Sequence, residues 1–460
     1  MITRVSLKNF KLHADTTIEA APITVFIGPN NSGKSSIFQA LLSLRQAASM
    51  TWATLYHRER HRLSERLILD IGEYEDIVRQ GEKEIRISVE GNIPVPRTEV
   101  YGREVGISFD VWVRDNLLAY HRGNLTIPLP SAGFVSWITH NLSRAASYGT
   151  EWKLGWEWRG AAQVEGPSIT LQNVPSSETI TLLFDMAPHF GLIDPGGTSG
   201  PTGVFPPERH LEAVELQQFW GNAPRRLLAS LHPIFPLRGF EEWGYPLPDS
   251  PASNLDRLVL ADRAVALASI LAYDREMEKR LSEWLEKFDI AIEAPLVPPK
   301  RVIIRAKKPK DGKASSLFLN EGTGVNQLPF ILIPIGLAPE NETILLCEPE
   351  AHLHPYGQSE LMKLLLKVQK DKKLQYFIET HSEHVLHALL HAVAKGDLRI
   401  NKSDPSKSDL AIYYFENLNG EAKVRLLQVN EQGQVEGGLP GFFDQALAEL
   451  GEYLDALKKS

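Results

Sequence analysis

Residues 23–36, ITVFIGPNNSGKSS, constrain this chain more than any other stretch. Ile23-Thr-Val-Phe-Ile27 is an unbroken run of apolar and β-branched residues, the pattern of a buried strand. Gly28 to Ser35 then fit G-x-x-x-x-G-K-[ST], the spacing of a phosphate-binding loop. The chemistry explains each part. Glycines at 28 and 33 let the backbone turn tightly and aim successive N–H groups at one anion. A helix starting at the loop's end adds its unpaired N-terminal donors and the positive end of its dipole. Lys34 places a point charge at the outer phosphates, and Ser35 offers a hydroxyl to Mg²⁺. Ile37, Leu41 and Leu44 recur at i, i+4 and i+7, so the helix is there. The residues expected around a bound nucleotide are Gly28, Pro29, Asn30, Asn31, Ser32, Gly33, Lys34, Ser35 and Ser36.

With 460 residues the chain exceeds one ordinary core, and two or three lobes are expected. No run of about 18 apolar residues occurs, which excludes a membrane-spanning helix. The first residues, Met1-Ile-Thr-Arg-Val-Ser-Leu-Lys8, alternate like a strand rather than a secretory signal. The single cysteine, Cys347, rules out an internal disulfide and fits a reducing cytoplasm. A net charge of −8 argues against a surface that coats nucleic acid broadly, while local basic patches stay open.

Further along, 47–66 reads as a polar, basic helix, and His57-Arg-Glu-Arg-His-Arg62 as a solvated face. Residues 67–80 suit a strand, turn and helix. Ile85–Val89 and Val100–Val113 alternate like antiparallel strands. Between 114 and 210, Trp, Tyr, Gly and Pro are frequent, as expected of a β-rich insertion. Residues 211–230 and 255–289 read as helical, and the second carries an apolar stripe, including Met277, Leu281, Leu285 and Phe288, that suits core or a partner helix rather than a ligand.

A second site-bearing block follows. Ile344-Leu-Leu346 predicts a buried strand, and Glu348 and Glu350 stand at its end. In α/β sheets, ligands collect at the carboxyl ends of strands, so these acids face the loop of 28–35. Phosphoanhydride hydrolysis needs one carboxylate near Mg²⁺ and one placed to orient or deprotonate the attacking water. Pro355 suits the first turn of the next helix. Leu374–Ile378 predicts another strand, with His381 just past its end and able to hydrogen-bond an outer phosphate. His352, His354, His381 and His384 have generic spacings, and no cysteine cluster accompanies them, so a zinc site is not expected. Gly322-Thr-Gly324, ahead of an apolar helix, reads equally as an anion-facing turn or a simple cap.

Taken together, these blocks resemble the ABC-type ATPases of the SMC, RecF and OLD group. The resemblance rests on Val5-Ser-Leu-Lys-Asn-Phe-Lys11, the phosphate loop, Leu319-Asn-Glu-Gly-Thr323, Cys347-Glu-Pro-Glu-Ala-His-Leu-His-Pro355 and Glu379-Thr-His-Ser-Glu383. It implies an α/β ABC-type ATPase head formed by 1–90 and 300–400. The head would be split by a β-rich insertion (91–210) and a helical assembly region (211–299), and followed by a small α/β tail (401–460). It implies ATP and Mg²⁺ as ligands, Glu348 as the catalytic and Mg²⁺-side glutamate, and His381 as the switch histidine. Asn320 and Gly322 would belong to a signature turn that reaches the nucleotide of a partner in a head-to-head dimer. The family's Mg²⁺-side acid should precede Glu348, yet Cys347 stands there, and a thiol suits Mg²⁺ poorly. Glu350 or Ser35 would then compensate, or turnover would be slow.

The ordered acidic blocks of a Toprim nuclease are missing after residue 400, so the chain itself is not expected to be a nuclease. Its size and plan resemble the ATPase subunits of PARIS anti-phage defence systems. That resemblance implies a cytoplasmic sensor and scaffold, assembled at least as a dimer and up to a hexamer of three dimers. It would hold a separate Toprim effector until a phage trigger protein arrives, with no membrane involved. The alternative is a RecF- or SMC-like repair ATPase binding DNA through residues such as Arg58, Arg60, Arg62, Lys307, Lys308 and Lys310.

Overall fold

The computed structural model describes residues 1–49, 71, 74–94, 104–114, 117–128, 134–140, 144–145, 149–159, 179–186, 223–236, 239–249, 263–308, 314–401 and 407–438. The chain divides into two compact units. One comprises 1–20, 36–231 and 419–422, the other 21–35, 232–418 and 423–460.

The first unit holds a nine-stranded antiparallel sheet. Its strands are β1 (Ile2–Phe10), β2 (His13–Glu19), β4 (Glu84–Pro94), β5 (Glu104–Arg114), β6 (Leu117–Pro128), β7 (Phe134–His140), β8 (Arg144–Ala145), β9 (Gly149–Arg159) and β10 (Thr179–Met186). They run β10-β9-β7-β6-β5-β4-β1-β2, with β8 paired to β9. The chain enters this sheet, leaves it through β3 (Ile23–Ile27), and returns. Ile2, Val5, Leu7 and Phe10 of β1 and Ile85, Ile87 and Val89 of β4 are buried, as alternating strands with one covered face require.

The second unit is built on a six-stranded sheet ordered β11-β18-β19-β3-β20-β21. Here β11 is Leu231–Ile234, β18 Thr343–Cys347, β19 Gln375–Glu379, β20 Leu410–Leu418 and β21 Glu421–Leu427. The pairs β18–β19, β19–β3 and β3–β20 are parallel. All five residues of β3, β18 and β19 are buried, which is why these strands read as continuous rather than alternating apolar runs. Short strands β12 (Tyr245–Pro246), β14 (Leu296–Val297) and β15 (Arg301–Val302) form one three-stranded sheet. Another joins β13 (Ala291–Glu293), β16 (Arg305–Lys307) and β17 (Ala314–Leu317). The fold class is α/β, with a parallel sheet that ends in a phosphate loop, as the sequence predicts.

β4 pairs with β5 from Glu84↔Arg114 to Pro94↔Glu104, so β5–β10, from the expected β-rich insertion, continue the sheet of β1 and β4. The expected long helix of 255–289 is two helices, Arg263–Tyr273 and Arg275–Leu285, divided where Asp274 caps the second by accepting from Met277 N at 2.9 Å. Their stripe, including Leu267, Leu271, Met277, Leu281 and Leu285, lies in this unit's core with Phe330 and Ile331. In the expected C-terminal tail, β20 is the direct neighbour of β3. Residues 50–70, 187–222, 309–313 and 439–460, with the basic run at 57–62, lie outside the described residues.

Candidate nucleotide-binding site

The loop that follows β3 is held from beneath. Phe26 packs against Phe377, Tyr413 and Phe415, whose ring centroids lie 5.3–6.3 Å away. Those rings come from β19 and β20, so three strand ends are fixed under the loop. Gly28 adopts φ 138°, and a Cβ there would stand 2.1 Å from the Phe415 carbonyl oxygen. Only glycine fits. Gly33 (φ 99°) and Asn31 (φ 59°) complete the turn, and Asn417 Nδ2 donates to the Asn31 carbonyl at 3.0 Å.

Lys34 opens the helix Lys34–Ser49 and is buried. Its ammonium donates to the carbonyls of Gly28 at 3.1 Å and Pro29 at 2.8 Å, folding the lysine back over its own loop. Burial lowers its pKa, and the negative charges of Glu379 and Glu348 pull against that. Ser35 donates its hydroxyl hydrogen to Glu379 Oε1 at 2.5 Å. Ser32 and Ser36 are buried, whereas Pro29 and Asn30 are exposed at the loop tip.

The acids come from the next two strands. Cys347 and Glu379 are register partners closing β18 and β19. Glu348 turns left-handed at φ 44°, and its N–H donates to the Glu379 carbonyl at 2.8 Å. Its carboxylate Oε1 lies 3.8 Å from His381 Nε2, and both side chains are partly exposed. Burial, then Lys34, lowers the His381 pKa, while Glu348 opposes the shift. The ring is therefore a neutral imidazole at pH 7, able to donate one hydrogen bond and accept one.

Glu350 does something else. Its Oε1 accepts from Thr380 Oγ1 at 2.6 Å and from His381 N at 3.1 Å, anchoring the loop that carries the histidine. Burial raises its pKa. Only Oε1 is engaged beneath the loop; Oε2 is buried with no hydrogen-bond partner among the described residues. Glu379 is the acid beside Ser35. Burial raises its pKa most, against the lowering effects of the Ser35 hydrogen bond and Lys34. Sequence reading did not single it out, although the rule that selected Glu348, an acid at a strand's carboxyl end, applies equally to β19.

The remaining expected residues sit on a separate turn. Asn320 ends a short 3-10 turn (Phe318–Asn320), and Gly322 precedes the helix Thr323–Asn326. Asn320, Gly322 and Thr323 are exposed. Gly324 is buried, and a Cβ there would meet the His352 carbonyl oxygen at 2.3 Å. The turn is thus seated on the segment that follows β18. His354 caps the helix Pro355–Lys372, with Pro355 in its first turn as predicted. Among the described residues no group of three or more His, Cys, Asp or Glu is placed to hold a metal ion. The oxygen donors of Ser35 and Glu379 suit Mg²⁺, which binds through one or two carboxylates together with phosphates and water.

A glycine-built anion loop, a lysine within it, a serine hydroxyl beside one acid, and a second acid paired with a histidine form an arrangement suited to binding and hydrolysing a nucleoside triphosphate. Residues 1–102 and 268–386 match the AAA ATPase domain model, and residues 406–452 match DUF3696, a family of unknown function. No curated protein sequence matches the chain. Among solved structures, the SmcHead bound to the C-winged helix domain of ScpA is similar at 14% identity, over 94% of this chain and 98% of that one, with a TM-score of 0.45. The SMC head domain of Thermotoga maritima is similar at 12% identity, over 93% and 99%, with a TM-score of 0.39. A Pyrococcus furiosus Smc head with an extended coiled coil, bound to the C-terminal domain of ScpA, matches at 14% identity over 98% and 99%, with a TM-score of 0.41. Among the described residues no helix is long and apolar enough to cross a membrane.

Proposed function

We propose that this chain is an ABC-type ATPase of the SMC, RecF and OLD kind that hydrolyses ATP slowly in a head-to-head dimer. The observation that carries the reading is the convergence of Lys34, Glu348, Glu379 and His381 at the ends of β3, β18 and β19, together with a turn on which Asn320, Gly322 and Thr323 are exposed. Backbone N–H groups of 28–35 hold the outer phosphates, and Lys34 leaves its loop carbonyls to meet them. Mg²⁺, when bound, neutralises charge on those phosphates. Glu348 orients the attacking water and accepts its proton. His381, neutral, donates to the outer phosphate and reports its presence to the loop that Glu350 anchors. Asn320 and Gly322 close the site of the other protomer.

In the cell, this ATPase is the sensor and scaffold of an anti-phage system, holding a separate Toprim effector until a trigger protein shifts the assembly. The resemblance in size and plan to PARIS ATPase subunits supports that role. Mass photometry with and without ATP tests the assembly. Co-expression with neighbouring genes, followed by phage challenge of wild type and Lys34→Ala, tests the role. A stable monomer in ATP, with protection unaffected by Lys34→Ala, contradicts it. Salt-dependent duplex binding by the ATP-bound protein, without a co-purifying effector, replaces it with the RecF-like repair reading.

A further inference from the structure

The Mg²⁺ side of this site lacks an acid where its family resemblance places one. The last residue of β18 is Cys347, whose thiol is a soft donor and a poor match to a hard cation. The neighbouring strand carries the missing group at the same level. Cys347 and Glu379 are in-register partners of a parallel pair, so their side chains leave the sheet on the same face. Glu379 is also paired with Phe26 of β3, two residues before Gly28. The carboxylate therefore stands one strand spacing, about 4.8 Å, nearer the phosphate loop than Cys347 does. It is not a solvated acid at a turn. Glu379 is 5% exposed, and its Oε1 lies 2.5 Å from the Ser35 hydroxyl, which the loop motif assigns to the metal.

We propose that Glu379, on the strand between the phosphate loop and Glu348, is the carboxylate that faces the Ser35-bound Mg²⁺, replacing the acid that β18 lacks at Cys347. The two other acids have different tasks. Glu350 accepts from Thr380 and His381 N through its Oε1, and Glu348 faces His381 across 3.8 Å. A carboxylate and a hydroxyl oxygen already this close present one hard donor set to one small cation. Their hydrogen bond also fixes the Ser35 rotamer, so the pair needs little reorganisation when the cation arrives with the nucleotide. Moving the acid one strand over frees position 347 from ligand chemistry, which is how a buried thiol is tolerated there. The inference rests on the nucleotide-binding reading above.

The test measures ATP affinity by equilibrium titration, in EDTA and in saturating Mg²⁺, and Mn²⁺ affinity of the ATP complex by electron paramagnetic resonance. Glu379→Gln keeps an oxygen that Ser35 can donate to, and its EDTA affinity serves as the folding control. The expected result is wild-type affinity in EDTA, loss of the Mg²⁺ enhancement, and Mn²⁺ binding weakened tenfold to a hundredfold. Cys347→Asp in the Glu379→Gln background is expected to return part of the Mg²⁺ enhancement by restoring an acid on β18. Full Mg²⁺ enhancement in Glu379→Gln overturns the proposal, and so does its loss in Glu350→Gln alone. A wild-type protein that binds no ATP in either buffer overturns the nucleotide-binding reading itself, a different outcome from either of those. If Glu379→Gln does not fold, Glu379→Asp replaces it. That change withdraws the carboxylate by one methylene, and a retained full enhancement again overturns the proposal.

Discussion

Cys347 and Glu379 close adjacent parallel strands as register partners, a thiol and a carboxylate side by side at the edge of the phosphate site. The pair explains how a chain without the usual acid on β18 still places oxygen donors beside Ser35. It also separates three glutamates by task. Glu379 serves the serine, Glu348 the histidine, and Glu350 the loop between them.

Gly28 tolerates no side chain. A Cβ at φ 138° would collide with the Phe415 carbonyl oxygen, and β20 cannot withdraw without leaving β3. Gly28→Ala is expected to cost about 3 kcal/mol, from left-handed strain and overpacking together. Thermal unfolding should show a fall of several degrees. An unchanged midpoint contradicts the close packing of β3 and β20.

Lys34 donates to two loop carbonyls, partners that the proposed reading has it exchange for phosphate oxygens. Lys34→Ala is expected to weaken ATP binding tenfold to a hundredfold, the worth of a charged hydrogen bond. Titration with a fluorescent ATP analogue measures this. Wild-type affinity in the variant would remove the lysine from the site.

Glu348→Gln keeps the size of the side chain and removes its basicity. Turnover is expected to fall by about 10² to 10⁴ with ATP affinity retained. Single-turnover kinetics beside the binding titration separates the two effects. A loss confined to affinity would reassign Glu348 to binding.

Glu350 gives a pH signature. Burial raises its folded pKa, so its contribution is fully present below the unfolded carboxylate pKa of about 4.3 and is lost as pH rises through the folded value. Gln cannot ionise but still accepts from Thr380 and His381 N. The unfolding midpoint of Glu350→Gln minus that of wild type should therefore rise between pH 4 and pH 8. A difference that shrinks with pH contradicts the buried placement of this carboxyl.

The local steps were legible where one residue type answers one physical demand. Ile23–Ile27, the loop glycines, Lys34, Pro355 and the strand of Thr343–Cys347 all fall where sequence pattern puts them. Partnerships between distant strands were less legible. Nothing in Leu410–Leu418 announces that it lies beside Ile23–Ile27, because an apolar strand pattern carries no address. The stripe in 263–285 reads alike whether it faces the core or another chain, and only the packing around Phe330 decides. Glu379 was overlooked for the same reason: its role depends on which strands flank β19.

The central claim is that one protomer's loop, acids and histidine are completed by the other protomer's exposed turn. Gly322 has open space where a Cβ would project and an ordinary negative φ, so Gly322→Asp leaves its own chain's packing intact. The most direct measurement is the ATP turnover of Gly322→Asp and Glu348→Gln, each inactive alone, after mixing. A mixed dimer contains one site built from an intact Glu348 and an intact Gly322, so mixing is expected to restore turnover. Full activity in Gly322→Asp alone, or no gain on mixing proteins that form mixed dimers, contradicts a site shared between two chains.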